Sequence, residues 1–222
     1  MSILGTSLRG SSGDPQYPVP DLSVRVNGAP LPVQAASDLI SASVHQDVDA
    51  PGMFTLRLMN WDMARGEVSW ADSPLFAPGG EVEVLMGYVG SLENVFSGEI
   101  TGLEPEFLSG APPTLTVRGH DRRHRLLRGR NTRTFTKMKD SDIVRQVATG
   151  AGLAVRIEDS GVRHEYVLQH NQTDLEFLQE RARRIGYELA MEGSTLLFRR
   201  RGSVIAGSEA LSLSLSANLI EL

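Results

Sequence analysis

From Leu22 to Arg118, apolar and polar residues alternate in short runs separated by turn residues. This period of two constrains the fold more than any other feature. Alternate side chains of a strand face opposite ways, and a helix cannot use such a pattern. Leu22, Val24 and Val26 make the first run, and Asn27-Gly28 supplies a tight turn. Ile40, Ala42 and Val44 alternate loosely within 39–48, until Asp49-Ala50-Pro51-Gly52 breaks the run. Phe54, Leu56 and Leu58 predict the next strand, followed by a long loop over 61–79 with Trp61, Trp70, Pro74 and Pro78. Val82, Val84 and Met86 predict another. So does 95–103, whose glycines suit bulges, and Leu115 with Val117 closes the series. About seven short strands without a convincing helix predict an antiparallel barrel or sandwich.

After residue 118 the texture changes. Residues 122–127 read as a short helix or turn, and 132–136 have strand composition. Asp140-Ser141-Asp142 caps an apolar-periodic run of Ile143, Val144, Val147 and Ala148 that stops at Gly150 and Gly152. Strands are predicted over 153–157 and 166–169. Thr173 and Glu176 form a capping box for a second helix, with Leu175, Leu178, Ala182 and Ile185 on its inner face and Gly186 at its end. A hairpin around Gly193 completes a β-α-β-β-α-β-β order, and Leu211, Leu213 and Leu215 alternate in a last strand. The predicted class is therefore α+β, mainly β: antiparallel β-barrel structure with an inserted small α+β unit.

Charge divides along the same line. Residues 1–117 carry 4 Lys and Arg against 14 Asp and Glu, and residues 118–222 carry 18 against 13. The absence of cysteine excludes a disulfide scaffold, thiolate zinc sites, iron–sulfur clusters and a cysteine nucleophile. No apolar run approaches the roughly 18–20 residues of a membrane helix, and the start has no charged segment followed by a long apolar one.

Few residues invite chemistry. His120 and His124 stand four apart, as zinc ligands on a helix do, but Asp121 follows the first where a zinc protease needs Glu, and no third ligand is evident. Glu99, Glu104 and Glu106 cluster near a strand end, and paired carboxylates can hydrolyse glycosidic bonds, so a peptidoglycan-degrading enzyme is one reading. Between Arg118 and Lys139 there are nine Lys and Arg and one acid, which electrostatics alone would let bind nucleic acid. Few aromatics interleave there for base stacking. The blander reading is a charged segment that meets an acidic neighbour, with Arg122, Arg123, Arg125, Arg128 and Arg130 at a contact between subunits. No catalytic residue, metal or cofactor is assigned.

Two strings go further. One is Gly119-His120-Asp121-Arg122-Arg123-His124-Arg125-Leu126-Leu127, continued by Thr134-Phe135-Thr136-Lys137-Met138-Lys139-Asp140-Ser141-Asp142-Ile143-Val144. The other is Gln169-His170-Asn171-Gln172-Thr173-Asp174-Leu175-Glu176-Phe177-Leu178, followed by Arg181-Ala182 and Ile185-Gly186-Tyr187-Glu188. With Phe96-Ser97-Gly98-Glu99-Ile100, they resemble the phage late-control protein D family and the related spike-hub proteins (VgrG-like) of type VI and extracellular contractile injection systems, over residues 22–200.

The resemblance implies a non-enzymatic baseplate hub: a homotrimer whose tube-like barrels present pseudo-sixfold symmetry to a hexameric inner tube and join it to a central spike or needle. Inner tube proteins, the spike and other baseplate proteins are the implied partners, with neither nucleic acid nor a cofactor required. The implied setting is assembly in the bacterial cytoplasm as part of a phage-tail-like particle, which can be released from the cell. The division expected is an N-terminal arm over 1–20, a first barrel over 21–119, the hub insertion over 120–202, and a returning barrel strand over 203–222. Spike-type relatives continue further, so this chain is expected to be the front portion of a longer hub, or to work with a needle on a separate chain.

Overall fold

The computed structural model describes residues 19–202. The expected arm lies outside them apart from Val19 and Pro20, and the expected strand over 203–222 lies outside them entirely. The chain divides into two compact units. One comprises the residues up to Gln46 with Gly52–Asp121, and the other Asp47–Pro51 with the residues from Arg122 onward.

The first unit is a seven-stranded sheet. Its strands are β1 (Pro20–Val26), β2 (Ala29–Pro30), β3 (Leu39–His45), β4 (Met53–Met59), β5 (Glu81–Tyr88), β6 (Ser91–Glu106) and β7 (Thr114–His120), in the spatial order β2-β1-β5-β6-β7-β4-β3. Every pairing is antiparallel. The alternation works as sterics require: Val24, Phe54, Leu56, Leu58, Val82, Val84, Leu115 and Val117 are all buried, while their sequence neighbours are more exposed. Burying each such side chain contributes about 1.5–3 kcal/mol.

Residues 61–79 are less irregular than expected. Asp62 bridges to Glu67, and a 3-10 turn at Pro74–Phe76 drives Phe76 into the core, where it meets Trp70 edge to face at 6.2 Å. A short helix, α1 (Val33–Ser37), buries only Ala35 and has too few turns to show a helical period.

Gly119 sets how closely β7 approaches its neighbours. A Cβ there would stand 2.1 Å from the Phe54 ring and 2.2 Å from the Glu99 carbonyl oxygen. Phe54 in turn packs edge to face on Phe96 at 5.6 Å.

The second unit is α+β. Strands β8 (Asn131–Lys139) and β10 (Arg163–Gln172) form an antiparallel ribbon. Strand β9 (Ala154–Ile157) pairs in parallel with β12 (Thr195–Arg200), which pairs antiparallel with β11 (Tyr187–Glu192). Helices α2 (Asp140–Gly150) and α3 (Asp174–Arg184) supply Ile143, Val144, Val147, Leu175, Phe177 and Leu178 to the core. Phe135 of β8 stacks on Phe177 of α3 at 5.6 Å and 9°. The loop Asp47–Pro51 belongs to this unit: Arg123 donates to the Asp47 and Val48 carbonyls at 2.9 and 3.2 Å, and Gln179 donates to that of Asp49 at 2.8 Å. Among the described residues, no helix is long and apolar enough to cross a membrane.

Candidate functional site

The second sequence string is built around a buried amide. Gln169 of β10 is fully buried. Its Nε2 donates to Asp174 Oδ1 at 2.8 Å and to the Gln172 carbonyl at 3.1 Å, and its Oε1 accepts from Arg133 Nε at 2.8 Å. Asp174 Oδ1 also accepts from Asn131 Nδ2 at 3.0 Å and Arg133 Nη2 at 2.5 Å. Asn171 makes this closure possible. It sits at φ 47 in a register break between Gln169 and Gln172, a left-handed conformation that Asn tolerates better than most residues.

Helix α3 then starts on the expected capping box. Thr173 Oγ1 accepts from the Glu176 amide at 3.2 Å, and Glu176 Oε2 accepts from the Thr173 amide at 2.9 Å. The Gln-x-x-x-Thr-Asp spacing thus folds the strand-to-helix corner shut. Gln169, Thr173 and Asp174 are hydrogen-bonded within that corner.

A second polar cluster was not legible in the sequence. Asp140, 1% exposed at the first turn of α2, accepts from Arg181 Nε at 2.6 Å, while its Oδ2 lies 2.9 Å from His164 Nε2. Arg181 Nη2 lies 2.9 Å from the same ring nitrogen. That nitrogen donates to Asp140 when protonated and accepts from Arg181 when not, so it serves one partner at a time. The three residues lie on α2, β10 and α3, and only the fold brings them together. Asp140 read as a helix cap; the residue that reaches back at the start of α2 is Asp142, which accepts from the Lys139 amide at 3.3 Å.

The basic segment is largely spent within the chain. Arg118 pairs with Glu104 at 3.0 Å. Arg122 is half-buried in a 3-10 turn, Arg122–Leu127. Arg123 is buried on the 47–51 loop, and Arg125 donates to the Gly152 carbonyl at 3.0 Å. Arg128 is exposed, 3.3 Å from His124 Nε2. Arg130 donates to the Asn171 carbonyl at 2.7 Å and pairs with Glu176 at 3.1 Å. Lys139 pairs with Asp159 at 2.8 Å. Through that bond, and that of the Gly161 amide, the Asp159 carboxyl is held below the usual carboxylate range.

The three glutamates come onto one face of the sheet. Counting residues would put Glu99 opposite Glu104 and Glu106, but a bulge between Ile100 and Gly102 resets the alternation: Glu99 faces His120, Glu104 faces Thr116 and Glu106 faces Thr114. Glu99 is buried, Glu104 pairs with Arg118, and Glu106 pairs with Arg57 at 3.2 Å. His120 lies in a strand, with Nδ1 2.9 Å from Thr101 Oγ1, and His124 in the following turn, so they do not share a helical face. Among the described residues, no cluster of His, Asp and Glu could hold a metal.

The fold resembles that of phage tail and injection-system spike proteins. The prophage MuSo2 43 kDa tail protein from Shewanella oneidensis superposes with a TM-score of 0.67 at 19% identity, over 91% of this chain and 59% of that one. The Francisella PdpA–VgrG complex matches with a TM-score of 0.60 at 9% identity, over 89% of this chain and 32% of that one. The E. coli c3393 protein, a type VI secretion system component with structural similarity to T4 tail proteins gp27 and gp5, gives 0.57 at 16%, over 79% and 48%. The chain spans less than two thirds of each of these proteins. By sequence, residues 17–222 match the Alg8 N-terminal domain, and the chain belongs to that family. No curated protein matches it.

Proposed function

We propose that this protein is a non-enzymatic structural part of the baseplate hub of a contractile injection machine, of phage-tail, type VI or extracellular kind. In this reading, three copies form a ring that joins the hexameric inner tube to the central spike, close in role to phage late-control protein D. The ring assembles in the bacterial cytoplasm, and its acidic first units meet basic second units of neighbouring copies, with Arg122, Arg123, Arg125, Arg128 and Arg130 near that contact. The observation that carries the reading is the tail-protein fold, which extends over 91% of the chain at a TM-score of 0.67. Glu104 and Glu106 are each held in an ion pair within the chain, with Arg118 and Arg57, as a structural surface would hold them. No observation favours a nucleic-acid role.

Deleting the gene and imaging cell lysates by electron microscopy tests this. The expected result is loss of complete tail-like particles, restored by the wild-type gene and equally by a Glu99→Gln, Glu104→Gln, Glu106→Gln triple variant. Complete particles without the protein would contradict the hub role. Cell-wall lysis by the purified protein, abolished in the triple variant, would replace it with an enzyme.

A further inference from the structure

Among the described residues, each unit exposes apolar side chains on a sheet surface. On the first unit, the rows that pack the core continue past it. Val24 and Val84 are buried, whereas the next pair on the same face, Leu22 and Met86, is less covered, and Pro20 with Tyr88 comes after. Leu22 is 38% exposed, Tyr88 51%, and Val89 in the turn 69%. Glu93 faces Met86 across β5 and β6 and so leaves from the same face. It is exposed, with no ion-pair partner among the described residues. The end of the β1–β5–β6 ribbon is thus an apolar tip with an acid on it.

On the second unit, Phe135 and Val167 turn inward from the β8–β10 ribbon. The opposite face carries Tyr166 across from Thr136 and Leu168 across from Thr134, with Tyr166 60% and Leu168 45% exposed. Lys137 and Arg163 stand exposed at one end of this ribbon with no ion-pair partner among the described residues, beside one exposed acid, Glu165. Lys137 is held at φ 53, an uncommon conformation for a long side chain in a strand. Two-stranded ribbons are marginal by themselves, and here only one face is packed.

We propose that these surfaces dock on each other between copies: the β1–β5–β6 tip of one molecule sits on the outer β8–β10 face of the next. The occupant is a second copy because the chain carries both complementary halves. Each is an exposed sheet face that carries a tyrosine and a leucine, with acid on the one and surplus cation at the end of the other. The surrounding charge has the same sense, since the described part of the first unit carries 4 Lys and Arg against 12 Asp and Glu, and that of the second 17 against 12. Each copy gives one tip and one face, so the contact is head to tail and can close a ring. This rests on the multi-copy hub reading and names the surface that would build it.

Sedimentation velocity on the full protein tests the contact with Tyr88→Asp and Tyr166→Asp, both at exposed positions and both checked for folding by circular dichroism. Wild type should self-associate, and each variant alone should weaken association at least tenfold. A mixture of the two should recover a one-to-one dimer, because one partner keeps its tip and the other its face. Unchanged assembly of the folded variants would overturn the docking surface and leave the hub reading standing. A wild type that stays monomeric at every concentration would overturn both.

Discussion

Gln169 and Asp174 are joined by a 2.8 Å hydrogen bond that closes the corner between β10 and α3. Gln169 is fully buried and has both ends of its amide engaged, so its loss strands partners rather than merely removing a contact. Gln169→Leu, which keeps the bulk, should lower stability by about 2 kcal/mol, in the range for leaving buried polar groups unsatisfied. Urea denaturation of the purified protein measures this. A change within about 0.5 kcal/mol, as for an ordinary surface site, would contradict the described network.

The Asp140–Arg181 pair should respond more strongly. Arg181→Met leaves a carboxylate that is 1% exposed without its cation, and such broken buried pairs cost about 3–5 kcal/mol. Adding Asp140→Leu in the same chain removes the stranded charge and should recover part of the loss. A double variant less stable than Arg181→Met by the full cost of a second independent mutation would argue against coupling.

Gly119 and Gly102 give a matched test of the first unit. An added methyl at Gly119 would collide with the Phe54 ring and the Glu99 carbonyl, whereas at Gly102 nothing lies within 4 Å. Gly119→Ala should cost about 3 kcal/mol or fail to fold, and Gly102→Ala should stay within about 0.5 kcal/mol. Melting curves of the two variants separate them.

Asp159 predicts an acid-sensitive loop. Its carboxyl is lowered by the Lys139 hydrogen bond first and the Gly161 amide next, so these contacts are intact above the ordinary carboxylate range. They are lost as pH falls through that lowered value. The Gly161 amide resonance should titrate with a midpoint under that of a free aspartate, and Asp159→Asn should abolish the transition. A midpoint at or above that of a free aspartate would contradict the assignment.

Much of the fold was legible because local signals agreed with tertiary packing. Phe54, Leu56 and Leu58 fall inside Met53–Met59, Val82, Val84 and Met86 inside Glu81–Tyr88, and Thr173 with Glu176 caps α3 as spacing predicts. The misses have physical causes. A five-residue helix at Val33–Ser37 is too short to show a period. The bulge in β6 shifts the alternation, so a strand of 16 residues looks like a shorter one. The polar clusters were hidden differently: Asp140, His164 and Arg181 are far apart in sequence and share no motif. In the basic segment, charge counting cannot reveal that Arg123, Arg125 and Arg130 also hydrogen-bond to carbonyls within the chain.

The hub role is the central claim, and position in the particle tests it most directly. Tail-like particles purified from cells that carry a small tag on this protein can be imaged by cryo-electron microscopy. The account predicts three tagged copies in a ring at the baseplate end of the inner tube, against the spike. Particles that lack the tag, or carry it along the sheath, would contradict it.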